Sequence, residues 1–308
     1  MQETELSFER THAPAIEEMI PNVARDESGC LVLDHRESLV IEFPSTDDVT
    51  TGFLSELRLL FGIGEHHADR LRDEGYATLP SLRSHPRWAG ASDALLERWG
   101  TPLDPIEVYR SLTRWFPASS PGFLSLLGLI PSEELLFFDL ETLGLSGAPV
   151  ILAATGRFES GELLVRQYLA PSPAEEVGLL DLLHEDLRAA SGLLSYNGKS
   201  FDWTVLRERF AYYGMRLPPV EVHVDLLHHA RRAWRGGLGD CHLDTIERHV
   251  LGVRRENDLP SEQVPFYYTM YLETGHPSPL VPIVNHSRQD IVSLGLLLAQ
   301  LLRTAGDV

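Results

Sequence analysis

Lysine is nearly missing from this 308-residue chain: of 26 basic residues, 25 are arginine and one is Lys199. Cysteine is as scarce. Two, Cys30 and Cys241, are too few for a disulfide framework or a structural zinc site, so a reducing cytoplasm is the expected compartment. Long apolar runs are absent as well. The longest, residues 291–302, is interrupted by Ser293 and Gln300 and falls short of a bilayer span, so no membrane partner is expected. The opening stretch, Met1 to Arg10, is polar and acidic, without the basic and apolar parts of a secretory signal. Positive charge is in deficit: 45 acidic against 26 basic residues leave a formal charge of −19. Such a field repels polyanions at long range, which excludes holding nucleic acid by overall charge alone. A local site remains open to the chain, because divalent cations invert the sign of a carboxylate cluster.

What is present is enough for a core. The hydrophobic fraction is 43%, and the length suits one large domain or two modest ones. Residues 1–50 are weakly periodic and read as a short β-rich segment, with strands expected at 30–33 and 39–43. Residues 51–115 read as helical. Apolar residues at helical spacing run from Phe53 to Phe61, followed by Gly62-Ile63-Gly64 and a second helix at 65–72. This Gly-hydrophobic-Gly turn resembles a helix-hairpin-helix unit. The resemblance implies that the backbone at Gly62 and Gly64 binds substrate, its N–H groups aimed at a phosphate. Glu65 departs from that pattern, since a carboxylate there repels phosphate; the alternative is a helical hairpin packed on protein. Residues 116–133, rich in Pro, Ser and Gly, read as a linker.

The pattern changes at residue 134. Short apolar runs predict strands at 135–138, 150–155, 162–169, 193–196 and 220–224. Helices are predicted at 174–190, 201–213, 226–234 and 283–302, the first with Ser172 as N-cap and Pro173 behind it, the second closed by Gly214. Three strands in meander order, then helix, strand, helix, strand, helix, is the order of the ribonuclease-H-like fold. The expected class is therefore α/β: a mixed sheet flanked by helices over residues 134–308, preceded by a smaller, mainly helical domain.

Three short motifs carry chemistry. Asp139 and Glu141 end the first predicted strand with Leu140 between them, so both carboxylates share one face. Such a pair is repulsive unless a cation sits with it. Asn197-Gly198-Lys199-Ser200-Phe201-Asp202 follows the fourth strand: a tight turn, then an Asp in the first turn of a helix, where the helix dipole favours its charge. His286 and Asp290 lie four apart on the last helix and share a face. Asp225 is either the cap of the helix at 226–234 or a fifth acidic group. His228 to Arg235 is either a basic contact for phosphates or a helix with Trp234 inward and arginines in solvent.

The runs Phe137 to Thr142, Asn197 to Asp202 and His286 to Asp290 resemble the three motifs of the DEDD exonucleases. Residues 134–302, with Ile291-Val292-Ser293-Leu294, Leu251-Gly252, 254–260 and 267–275, look like the YprB-type ribonuclease-H-like proteins. The resemblance implies two Mg²⁺ or Mn²⁺ ions on Asp139, Glu141, Asp202 and Asp290, with His286 as general base and Asn197 and Lys199 toward substrate. It implies a 3′→5′ exonuclease acting on single-stranded DNA or RNA ends. One departure stands out: His286 precedes Asp290 by four residues, the spacing of tyrosine-type members, where histidine-type members have five. A structure-specific endonuclease or ribonuclease with the same site, or an inactive nucleic-acid-binding module, are the alternatives.

Overall fold

A computed structural model describes residues 14–145, 147–256 and 258–306; the stretch Met1 to Arg10 lies outside the described residues. Seven strands make one mixed sheet: β1 Val23–Arg25, β2 Leu31–Glu37, β3 Leu135–Thr142, β4 Val150–Glu159, β5 Glu162–Leu169, β6 Gly192–Ser195 and β7 His223–Asp225. Their order is β1-β2-β5-β4-β3-β6-β7. The five strands from β1 to β3 in that order pair antiparallel, and β3, β6 and β7 run parallel. Between β4 and β5, Glu159 faces Glu162, leaving Ser160 and Gly161 as a two-residue turn with φ of 54° and 85°. Two positive φ values match the right-handed strand twist and lock the hairpin register.

The helices, in chain order, are α1 Ile16–Met19, α2 Thr46–Ser55, α3 Glu65–Asp73, α4 Ala89–Trp99, α5 Pro105–Trp115, α6 Gly122–Ser125, α7 Glu176–Ala189, α8 Asp202–Tyr212, α9 Leu226–Trp234, α10 Leu243–Ile246, α11 Val264–Thr274 and α12 Leu280–Gly306. The central strand β3 is apolar at both parities, so both sheet faces must be covered. Leu135 and Phe137 share a core with Ile291, Leu294 and Leu298 of α12. Leu136, Phe138 and Leu140 share the other core with Leu179 and Leu183 of α7 and Leu206 and Phe210 of α8. Asp139 and Glu141 have the parity of Phe137 and so belong to the α12 side.

Two contacts fix how closely the helices approach. A Cβ on Gly156 of β4 would lie 2.5 Å from Ile291 Cγ2, so only glycine lets α12 press onto the sheet beside Asp290. On the other face, the fully buried Glu176 of α7 accepts from Arg209 Nε of α8 (2.7 Å), from Tyr213 Oη (2.9 Å) and from the Val150 N–H (2.8 Å). That one carboxylate ties α7, α8 and the start of β4.

The expected α/β class and its element order hold. Three local expectations differ. Residues 39–43 form no strand; Leu39 is buried and Phe43 packs edge-on against Phe158 at 6.2 Å, so their apolar side chains pin a strap over the sheet without pairing. Residues 116–133 fold into helical turns with Phe123, Leu124, Leu126 and Leu127 buried, because the apolar spacing there outweighs the flanking Pro and Gly. A helix-hairpin-helix unit is not shown. The helix expected over 53–61 ends at Ser55, where the Glu56 carboxylate takes the Arg58 N–H (3.1 Å) and Nε (2.8 Å), and only a 3₁₀ turn, Leu57–Leu59, precedes Gly62.

Candidate active site

The end of β3 opens into a cavity of about 450 Å³ whose lining includes Asp139, Glu141, Asp202, Asp290, Asn197, Phe201 and Ser261. Three chain-distant elements therefore deliver four carboxylates to one place. β3 supplies two by alternation, with a register shift between Glu141 and Thr142 in its last pairs with β4. The turn after β6 supplies Asp202. Asn197 adopts φ 62°, and a Cβ on Gly198 would sit 2.6 Å from Ser195 and 3.2 Å from Asp202 Oδ2, so the turn folds back tightly against its own strand. Asp225 holds that turn: it accepts from the N–H of Asn197 (2.8 Å) and Lys199 (3.3 Å) while capping α9 through Leu227 (3.1 Å). The capping alternative for Asp225 is thus the one the structure builds, with the turn as its second load.

Crowding perturbs the carboxyls strongly. Burial first, then the charges of Asp290, Asp202 and Glu141, push the Asp139 carboxyl well above its usual range, against the pull of Arg255. Glu141 is raised well above its range by burial and by Asp290 and Asp202. Asp202 rises to about 7, again through burial first, despite a hydrogen bond from the Leu140 backbone. Like charges desolvated together favour protonation or a bound cation.

Within this group Glu141, His286 and Asp290 each bring a ligand atom to within 4.8 Å of the others. Asp139 and Asp202 line the same cavity outside that compact trio. His286 is 7% exposed, and both ring nitrogens face protein. Its Nδ1 lies 2.9 Å from Asp258 Oδ1 and 3.1 Å from Arg255 Nη1. Its Nε2 lies 3.1 Å from Ser261 Oγ, 3.4 Å from Asp290 and 3.7 Å from Glu141.

Arg255, Glu247, Asp258 and Ser261 were not singled out by the sequence. The Arg255 guanidinium is buried between Glu247 and Asp290, donating to a carboxylate oxygen of each. Burial opposes its charge, and those two carboxylates more than restore it, so its pKa is raised. The local hint was small: Arg255 and Asp258 at i, i+3 inside a charged loop. Lys199 is engaged elsewhere. Its Nζ donates to Tyr109 Oη (2.9 Å), which donates to the His223 carbonyl (2.8 Å), linking α5 to the sheet. Gly62 and Gly64 do not line the acidic cavity; Gly62 takes φ 84° against Trp88, and Gly64 starts α3.

A central strand ending in two carboxylates, a parallel extension of the sheet and a long closing helix with a further carboxylate define the ribonuclease-H-like class. The family model described as the RNase H superfamily matches residues 136–302, and the chain belongs to that superfamily. Among curated proteins it is similar to the uncharacterized protein YprB of Bacillus subtilis (strain 168), with 34% identity over 193 residues. That match covers 61% of this chain and 46% of YprB, so the chain spans less than half of that relative's length. Among solved structures it is similar to the family B DNA polymerase from the hyperthermophilic archaeon Pyrobaculum calidifontis, with a TM-score of 0.42 and 20% identity over 54% of this chain and 24% of that one. No helix among the described residues is long and apolar enough to cross a membrane.

Proposed function

We propose that the chain is a metal-dependent nuclease of the DEDD exonuclease type, removing nucleotides from single-stranded DNA or RNA in the 3′→5′ direction. The observation that carries this reading is the convergence of Asp139, Glu141, Asp202 and Asp290 on one cavity, where Arg255 pairs with Asp290 but burial and mutual repulsion still raise the carboxyls of Asp139, Glu141 and Asp202. The donor set consists of hard carboxylate oxygens, which suits Mg²⁺ or Mn²⁺. Those four side chains would hold two such ions, whose chemistry when bound is activation of water and stabilisation of charge on the transferring phosphate.

The remaining residues are assigned by what they touch. Asn197 is exposed at the cavity rim and meets the substrate. Arg255 and Glu247 orient Asp290, and Asp225 fixes the turn that presents Asp202. His286 is assigned a positioning role. A general base needs a nitrogen open to water within hydrogen-bond reach, and both of its nitrogens already have protein partners. Lys199, bound to Tyr109, couples α5 to the turn carrying Asn197.

The test is degradation of end-labelled single-stranded DNA and RNA with Mg²⁺, Mn²⁺ or EDTA. Stepwise shortening from the 3′ end, blocked by a terminal modification and absent in EDTA, is expected. Full activity in chelator overturns the metal reading. Cleavage of circular strands turns the assignment to an endonuclease.

A further inference from the structure

A second polar cavity, of about 640 Å³, adjoins the acidic one; Tyr196 and Asn197 line both. Its wall is α9. That helix buries Leu226, Leu227 and Ala230 and packs Trp234 against the core, which turns Arg231 and Arg235 outward, one helical turn apart, into the cavity. Both arginines are exposed, and neither has an ion-pair partner among the described residues. Other exposed arginines divide: Arg248 is neutralised by Asp244 (2.6 Å), while Arg98 and Arg207 stand without a carboxylate among the described residues, so what sets Arg231 and Arg235 apart is their place together in a polar cavity that shares a wall with the acidic one. Two like charges at i, i+4 repel and weaken a helix. In a chain of net charge −19, carboxylates were available to balance them. Asp240 does line this cavity, but its carboxylate accepts the His242 N–H (3.0 Å) and stands 3.8 Å from the His242 ring.

We infer that this cavity is a backbone-phosphate subsite for single-stranded nucleic acid, with Arg231 and Arg235 holding phosphates of nucleotides next to the one in the acidic cavity. The inference rests on the nuclease reading, since that reading places a strand at the shared wall of Tyr196 and Asn197. Arginine is well matched to phosphate: its planar fork meets the oxygens, and it reads charge without reading sequence. DNA and RNA strands therefore engage it alike. The subsite also resolves how an acidic protein holds a polyanion: the attraction is local and lies beside the carboxylates.

The test is fluorescence anisotropy of end-labelled oligo(dT) and oligo(rU) in EDTA over a range of salt, so that binding is read without cleavage. For single strands each phosphate contact contributes about 0.7 to the slope of log K against log salt. Arg231→Ala/Arg235→Ala is expected to flatten that slope by about 1.4 and to weaken binding roughly 25-fold at about 0.1 M salt, with both strands affected equally. Arg231→Lys/Arg235→Lys should recover most of the slope. The control Arg98→Ala/Arg303→Ala removes the same charge from α4 and α12 and should bind as wild type. A slope and affinity unchanged in Arg231→Ala/Arg235→Ala, or equally changed in the control, overturn the subsite. Wild-type protein that binds neither strand also overturns it. A flattened slope in a protein that cleaves nothing with Mg²⁺ or Mn²⁺ keeps the subsite and discards the nuclease reading.

Discussion

Asp202→Asn should make the metal-free protein more stable while destroying its activity. In the folded chain the Asp202 carboxyl titrates near 7, raised by burial first and then by the charges of Asp225 and Asp290, against an ordinary value of 3.8. A raised folded pKa means that the folded state keeps a proton that the unfolded state releases. The stability so conferred is fully present below about pH 4 and is lost as pH rises through about 7. At about 1.4 kcal/mol for each tenfold change in proton affinity, this group alone removes on the order of 4 kcal/mol across that window. Asp139 and Glu141, also raised, act in the same direction. Asparagine keeps the volume and still accepts from the Leu140 N–H, but it carries no charge to desolvate. Urea unfolding in EDTA should therefore show Asp202→Asn ahead of wild type by a few kcal/mol at about pH 8, with the gap narrowing below about pH 7 and closing by about pH 4. Saturating Mg²⁺ should stabilise wild type, because a ligand that binds only the folded state adds RT ln(1 + [L]/Kd), and should do little for the variant. An Asp202→Asn protein less stable than wild type at about pH 8 in EDTA would refute the view that these carboxylates are held against their own repulsion.

Two further outcomes follow from other contacts. In His286→Ala, metal affinity by calorimetry and turnover should fall together, because Glu141 and Asp290 lose the ring that spaces them. A turnover drop of roughly 10²–10⁴ with unchanged metal affinity and a lost acidic limb in the pH profile would instead restore His286 as the base. Arg209→Ala should cost about 3–5 kcal/mol in urea unfolding, since it strands the fully buried Glu176; a loss under about 1 kcal/mol would show that water reaches that carboxylate.

The parts of the site that follow local periodicity were legible in the sequence. Alternation on β3 put Asp139 and Glu141 together, and the Asn197-Gly198 turn put Asp202 at a helix start. Helical spacing brought Asp290 to the sheet. What stayed hidden depends on contacts between distant segments. Arg255 reaches Glu247 and Asp290 across loop chain, and charge order along a loop does not say which carboxylate a guanidinium will meet. Tyr109 meets Lys199 over a separation of 90 residues. The pairing of β2 with β5 has no local mark either. The apolar run at 30–33 announces a strand, but nothing in it names the partner. At 116–133 turn residues outnumbered the apolar ones, and composition hid the spacing that buries Phe123 and Leu127.

That pairing of β2 with β5 sets a timetable for synthesis. Asp34 opposes Arg166, 132 residues later, and the two form a paired hydrogen bond across the sheet. At about 5–20 residues per second, β2 leaves the ribosome roughly 7–26 s before its neighbour exists. Through that interval Leu31 and Leu33 travel on an unpaired edge, the kind of segment that invites association with other nascent chains. Among the described residues the short β1 is the one strand partner available early, and it covers Leu31 to Leu33 on the side away from β5. A ribosome stalled before residue 162 should therefore display a hairpin but no sheet, and slowing translation through 135–169 should lengthen the exposure of this edge and raise aggregation in proportion.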